Sequence, residues 1–188
     1  MGRSPDLSVV LVEGVSDQAA VNALAGRLGR DLAAERIAVV PIGGAQAIGR
    51  FVEHYGPRGL DLRLAGLCDA AEERDFRRAL ERAGLGEHLS RGEMERLGFY
   101  VCDADLEDEL IRALGAPAVE AVLAANGDLS PFRTFQKQPF WRGQAVERQL
   151  RRFMGSADRR KIRYARLFVE ALPLERMPRP LERVLAAV

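Results

Sequence analysis

The chain has 188 residues, of which 47% are apolar and 29% charged, with 28 Lys+Arg against 27 Asp+Glu. That length buries a core without disulfide help, and the composition excludes a mainly disordered, collagen-like or coiled-coil chain. No apolar run approaches the roughly 20 residues of a bilayer span, no secretory signal precedes the first strand-like run, and Cys68 and Cys102 form neither a disulfide framework nor a zinc cluster. The expectation is a cytoplasmic protein without a membrane partner.

In chain order, Ser8–Val12 (SVVLV) is a short β-branched run and reads as a buried strand. Ser16 opens a helix running to about Arg30, with Ala20, Val21, Leu24, Ala25 and Leu28 at helical spacing. Ile37–Ile42 is the second strand, with Pro41 ending its ladder. Gly43-Gly44 then turns into a helix through about Tyr55. Leu62–Leu67 is the third strand, closing on Cys68-Asp69, and a helix follows from Glu72 to about Arg82. A short helix near Arg91–Leu97 leads to the fourth strand, Phe99–Cys102, and Asp105–Leu114 is helical. Strands alternating with helices predict an α/β fold, a Rossmann-like parallel sheet of about four strands flanked by helices. From residue 117 no strand pattern remains. Helical stretches at 117–125, 141–154, 159–172 and 178–187 predict a C-terminal helical extension. The expected organisation is a sheet domain over 1–116 and a basic helical extension over 117–188.

The near-neutral total hides a split. Residues 1–128 hold 14 Lys+Arg and 22 Asp+Glu, a net of −8, whereas residues 129–188 hold 14 and 5, a net of +9. Such a chain either holds a cation and a polyanion together or uses the two parts to attract each other. Within the basic part, Arg148, Arg151, Arg152, Arg159 and Arg160 are candidates for nucleic-acid phosphate contacts. The aromatics of Pro131–Arg142 are expected to anchor the extension rather than stack on bases.

Three predicted strands end in acid. Glu13 follows the first, with Asp17 one turn later. Asp69 closes the third, before Glu72 and Glu73. Asp103 closes the fourth, before Asp105, Glu107, Asp108 and Glu109. In a parallel sheet these sites share one edge, where ligands bind. Converging carboxylates repel one another and are costly to bury unpaired. A hard divalent cation, Mg²⁺ or Mn²⁺, satisfies such an all-oxygen set. Gly43-Gly44-Ala45-Gln46 lacks the Gly-Lys-Ser/Thr of a P-loop, so no ATP site is expected in this chain. His54 and His88 lack metal-ligand spacing and read as surface residues, and the two cysteines read as buried thiols.

The run Val12-Glu13-Gly14-Val15-Ser16-Asp17, followed by a strand ending in Asp69, resembles the TOPRIM domain of topoisomerases, primases, RecR-type recombination proteins and nucleases. Together with GLCDAAEE, CDADLEDELIRALG and KIRYAR, it most resembles the OLD (overcoming lysogenization defect) family of nucleases. The resemblance covers about residues 8–115 and extends to the helical tail. It implies a Mg²⁺- or Mn²⁺-dependent endonuclease that hydrolyses phosphodiester bonds, DNA favoured, with one or two ions. It implies metal and catalytic roles for Glu13 and Asp17, metal ligation by Asp69, a further glutamate at Glu107 beside Asp105, and a catalytic lysine at Lys161. The D-x-D motif of the family falls on Asp69-Ala70-Ala71, whose second acid is missing. Glu72, one residue on and one methylene longer, is the residue left to reach that place; the alternative is a one-metal or inactive site. The implied partner is nucleic acid. OLD nucleases carry an ATPase ahead of the TOPRIM, so the expectation is that this chain works alone, is a fragment, or meets an ATPase in trans. The competing expectations are a small TOPRIM ribonuclease that matures structured RNA and a non-catalytic DNA-binding module.

Overall fold

The computed structural model describes residues 7–188; the segment 1–6 ahead of the first strand lies outside the described residues. Four strands, β1 (Ser8–Val12), β2 (Ile37–Pro41), β3 (Arg63–Asp69) and β4 (Phe99–Cys102), form one sheet in the order β2-β1-β3-β4. Every pairing is parallel, with Val12 opposite both Pro41 and Leu67, and Asp69 opposite Cys102. Pro41 is tolerated because β2 lies at the edge.

Side chains alternate across this sheet, so each strand feeds two cores. Val10, Val12, Ala65, Leu67 and Cys102 point into one core, and Val9, Leu11, Cys68, Phe99 and Val101 into the other. Burial on both sides explains why the strands are apolar throughout rather than alternating. Gly66 has a packing reason: a Cβ there would lie 2.4 Å from the Phe99 ring of the paired strand.

The second core is covered by α2 (Ile48–Tyr55), α3 (Glu73–Arg82) and α4 (Arg91–Arg96), which contribute Ile48, Val52, Phe76, Leu80 and Met94. The first is covered by α1 (Val15–Arg27) and α5 (Leu106–Leu114) from the sheet region. Five helices follow: α6 (Ala116–Ala125), α7 (Leu129–Gln136), α8 (Val146–Met154), α9 (Asp158–Ala171) and α10 (Arg179–Ala186). Their side chains Val119, Phe132, Leu150, Phe168 and Leu181 share that first core with Val10 and Leu24. One hydrophobic core therefore runs across the expected boundary at residue 116. Among the described residues, no helix is long and apolar enough to cross a membrane.

Two local expectations differ. Helix α7 occupies a stretch for which no helix is predicted. Pro131 is its third residue, in the first turn, where a missing N–H breaks no helical bond. Helix α8 begins at Val146 rather than 141, after a turn in which Gly143 has φ 80°. The aromatic run is an anchor, as expected. Phe132 is buried, with the Phe153 ring 5.3 Å away, and Phe135 packs on Trp141 at 5.1 Å, while Phe140 stays exposed.

Candidate metal centre

The parallel register brings the C-terminal ends of β1 and β3 side by side, and the acids that end them with it. Glu13 sits between β1 and α1. Its carbonyl accepts hydrogen bonds from Gly43 N–H and Gly44 N–H, both at 3.2 Å. The two glycines have φ of 76° and 107°, a backbone that only glycine adopts readily. The Gly43-Gly44 turn is thus tied to the chain beside Glu13. Asp69 is the last residue of β3, and the Glu72 N–H donates to the Asp69 carbonyl at 3.0 Å. That turn swings Glu72, the cap of α3, back toward Asp69 and Glu13.

One carboxylate oxygen from each of Glu13, Asp69 and Glu72 lies within 4.8 Å of the other two. Among the described residues this is the one group of three or more such side chains close enough to share a metal ion. Glu13 Oε2 and Glu72 Oε2 are buried and have no hydrogen-bond partner among the described residues. An unpaired buried carboxylate oxygen costs free energy, and a cation bound by all three would remove that cost. Three oxygens from hard ligands fit Mg²⁺ or Mn²⁺ better than softer metals. Burial, then the Glu72 and Asp17 charges, push the Glu13 carboxyl up to about 7. Asp69 rises to about 8, through burial and then the charges of Glu13, Asp17, Asp105 and Glu72.

Asp17, Asp105, Glu107 and Lys161 line, with Glu13 and Asp69, a cleft of about 580 Å³, without joining that triad. Asp17 and Asp105 accept hydrogen bonds from the chain, and Glu107 is ion-paired although its Oε1, too, is buried without a hydrogen bond among the described residues. Asp17 Oδ2 accepts from Gly14 N–H at 2.9 Å. Burial still holds its carboxyl above the usual range, against that bond and Lys161. Asp105 caps α5, accepting from Asp108 N–H at 2.8 Å, and its other oxygen accepts from Arg151. Glu107 is buried, with Lys161 Nζ 3.2 Å from its Oε1. Burial raises the Glu107 carboxyl more than Lys161 lowers it. Burial alone would lower the Lys161 ammonium, but Glu107, Asp17 and Asp69 outweigh it and hold it charged above its ordinary range. Lys161 is on α9, whose apolar side packs against α1 and α5; that packing delivers the ammonium to the strand ends.

The other strand-end acids are taken up by arginines. Glu73 binds Arg77 and Arg91; Asp108 and Glu109 bind Arg112; Asp103 lies 3.8 Å from Arg91. The charge split works partly as self-attraction, since Arg151–Asp105, Lys161–Glu107, Arg133–Glu120 and Arg179–Glu95 join the basic part to the acidic part. Of the five arginines expected to meet phosphate, Arg151 reaches the cleft, paired with Asp105. Arg160 stacks 4.1 Å over Phe153 and bonds Ser156 Oγ at 2.7 Å. Arg148 bonds Gln144 at 2.9 Å near the Trp141 ring. Arg152 and Arg159 are exposed. Asp158, in the cleft wall, escaped sequence reasoning; its signal is its place in the first turn of α9, three residues before Lys161. The two thiols are free and buried, which pushes both well up, and His54 and His88 are exposed.

Residues 8–70 match the family model described as "Overcoming lysogenization defect protein-like, TOPRIM domain". No curated protein matches the sequence. Among solved structures, the C-terminal region of the Burkholderia pseudomallei OLD protein superposes with a TM-score of 0.73 at 20% identity, over 97% of this chain and 96% of that one. The C-terminal region of the Xanthomonas campestris pv. campestris OLD protein gives 0.75 at 24% identity, over 97% and 92%. Residues 8–70 thus carry an OLD-like TOPRIM domain, and the chain adopts the fold of the C-terminal region of OLD proteins.

Proposed function

We propose that this chain is a metal-dependent endonuclease that hydrolyses phosphodiester bonds, with DNA the favoured substrate. The observation that carries the reading is the triad of Glu13, Asp69 and Glu72, with its orphaned buried oxygens; Glu13 and Asp69 line the same cleft as a charged lysine, and Glu72 lines the adjoining hollow. Glu13, Asp69 and Glu72 would hold Mg²⁺ or Mn²⁺, and Glu72 stands in for the acid that Ala71 lacks. Such an ion, when bound, lowers the pKa of a coordinated water and polarises a phosphoryl oxygen. The rest falls to the chain itself. Lys161 Nζ would offset negative charge on the scissile phosphate in a half-buried setting, where a fixed cation acts more strongly than in water. Glu107 positions that ammonium at 3.2 Å. Asp17 fixes the Glu13-Gly14 bend by accepting from Gly14 N–H.

The test is cleavage of supercoiled plasmid and of structured RNA with Mg²⁺, Mn²⁺ or EDTA, comparing wild type with Glu13→Ala. Metal-dependent cleavage that disappears with Glu13→Ala supports the proposal, and preference for plasmid supports DNA. Preference for RNA would replace the DNA reading with the ribonuclease one. Binding without cleavage under either ion would overturn the proposal in favour of a non-catalytic module.

A further inference from the structure

We infer that the substrate strand leaves the metal cleft around the Gly43-Gly44 turn and runs along an arginine row on α3, formed by Arg74, Arg78 and Arg82. The inference rests on the phosphodiesterase reading of the cleft and specifies where its polymeric substrate is held.

Three depressions lie end to end. The metal cleft shares Gly43 and Gly44 with a second hollow of about 400 Å³, which Glu72 and Asp75 also line. That hollow shares Ala45, Gln46 and Asp75 with a third, of about 380 Å³, lined by Arg74, Arg78 and Arg82. A continuous groove therefore leads from the carboxylate triad to three guanidinium groups.

Many arginines are matched to acids: Arg77 and Arg91 to Glu73, Arg112 to Asp108, Arg151 to Asp105, Arg179 to Glu95. Among the described residues, the α3 row shares its lack of an acid partner with Arg152 and Arg159, but it alone of these lines a hollow that joins the metal cleft through shared residues. Arg74, Arg78 and Arg82 are exposed and form no ion pair or side-chain hydrogen bond among the described residues. Asp75, the acidic residue of the groove, pairs with none of them. Like charges four residues apart destabilise a helix, so the row opposes the stability of α3. The buried face of that helix is Phe76, Ala79 and Leu80, which orients the arginines outward. Successive members are about 6 Å apart along the axis and the row spans about 12 Å. That is room for a few consecutive phosphates of one strand. Net charge concealed this surface, because α3 lies in the part of the chain that carries −8.

The test is binding of fluorescein-labelled single-stranded and duplex oligonucleotides by anisotropy across a salt series. Ca²⁺ is present throughout to neutralise the cleft. The proteins are wild type, Arg74→Gln/Arg78→Gln/Arg82→Gln, the corresponding triple lysine variant, and Arg148→Gln/Arg152→Gln/Arg159→Gln. Each is also assayed with Mn²⁺ on bis(p-nitrophenyl) phosphate, a diester too small to reach α3. The α3 glutamine triple is expected to lower the slope of log K against log salt by about 2 to 3. It should hydrolyse the small diester like wild type, which also shows that it is folded. The lysine triple should keep most of the binding, and the C-terminal triple should lower the salt slope less than the α3 glutamine triple does. Wild-type affinity and slope in the α3 glutamine triple would overturn the inference. So would a wild type that binds neither oligonucleotide, or a loss of binding that the lysine triple shares in full. A wild type that binds through the row yet hydrolyses neither plasmid nor the small diester would support the groove and overturn the hydrolytic reading alone.

Discussion

The carboxylates at the strand ends fall into two groups with opposite surroundings. On one side, Glu13, Asp69 and Glu72 crowd together, with two buried oxygens unpartnered and the Glu13 and Asp69 carboxyls pushed up to about 7 and 8. On the other, Glu73, Asp108 and Glu109 are closed off by arginines, and Glu73 lies below its usual range because Arg91 and Arg77 outweigh its burial. Among the described residues, five other acids of this edge have an arginine, Glu107 has Lys161 and Asp17 has a backbone N–H, whereas no ion pair reaches Glu13, Asp69 or Glu72. The difference teaches that residue type and strand-end position do not make a metal site. A missing counter-charge does, because it leaves the work of neutralisation to a ligand.

The sharpest way to break this contrast is Glu13→Gln. Loss of a direct ligand should exceed the roughly 10–100-fold cost of losing an outer partner, so metal-dependent hydrolysis should fall by at least about 100-fold. Calorimetry should show weaker Mn²⁺ binding; unchanged binding and turnover would remove Glu13 from the centre. Lys161→Met should cost on the order of 10²-fold in turnover, with Mn²⁺ affinity nearly intact. A drop in affinity that matches the drop in rate would recast Lys161 as a structural partner of Glu107. Glu72→Ala, which also removes a direct ligand, should weaken metal binding by at least the roughly 10–100-fold cost of an outer partner. Adding Ala71→Asp to that variant should restore much of it, by returning an acid two residues after Asp69; no rescue would mean that Glu72 is not standing in for the missing acid.

Stability should report the same asymmetry. The Glu13 and Asp69 carboxyls have folded-state values above their unfolded ones, so the native state holds extra protons across the interval between them. Their contribution is full below about pH 4 and is lost as pH rises through about 7 to 8. Metal-free protein should therefore lose Tm over that interval, less so in Glu13→Gln, and Mn²⁺ should raise Tm more at pH 8.5 than at pH 5. An equal Mn²⁺ effect at both pH values would contradict the assignment of the triad as the metal site. The smallest effect belongs to the arginine-closed side. Arg91→Ala should lower stability by about 0.5–1 kcal/mol, since Arg91 is largely exposed. Hydrolysis should stay within twofold; a large loss of turnover would show that the two groups are not independent.

The fold was legible in sequence where local patterns suffice. Four runs of β-branched and apolar residues, each followed by a helical period, determine a doubly covered parallel sheet, and the observed strands differ from the predicted ones by a residue or two at their ends. Glu13, Asp69 and Glu72 were visible because they follow apolar runs or the turn just after one. The α7 helix was not legible, since Pro131 within an aromatic run reads as a break unless it falls in a first turn, and only the position of that turn shows that it does.

What sequence by itself determined, then, is which residues lie at the carboxyl ends of the strands, because the extent of each apolar run and the acid that follows it are local properties of the chain. What only tertiary structure decided is which of those acids are left without a partner. Arg151 neutralises Asp105 from 46 residues away, Lys161 meets Glu107 through the packing of α9 on α1 and α5, and among the described residues no arginine pairs with Glu13 or Glu72. Counter-charges arrive by long-range packing, which composition and spacing do not encode, and burial then turns each missing partner into a free-energy cost that a bound ion removes.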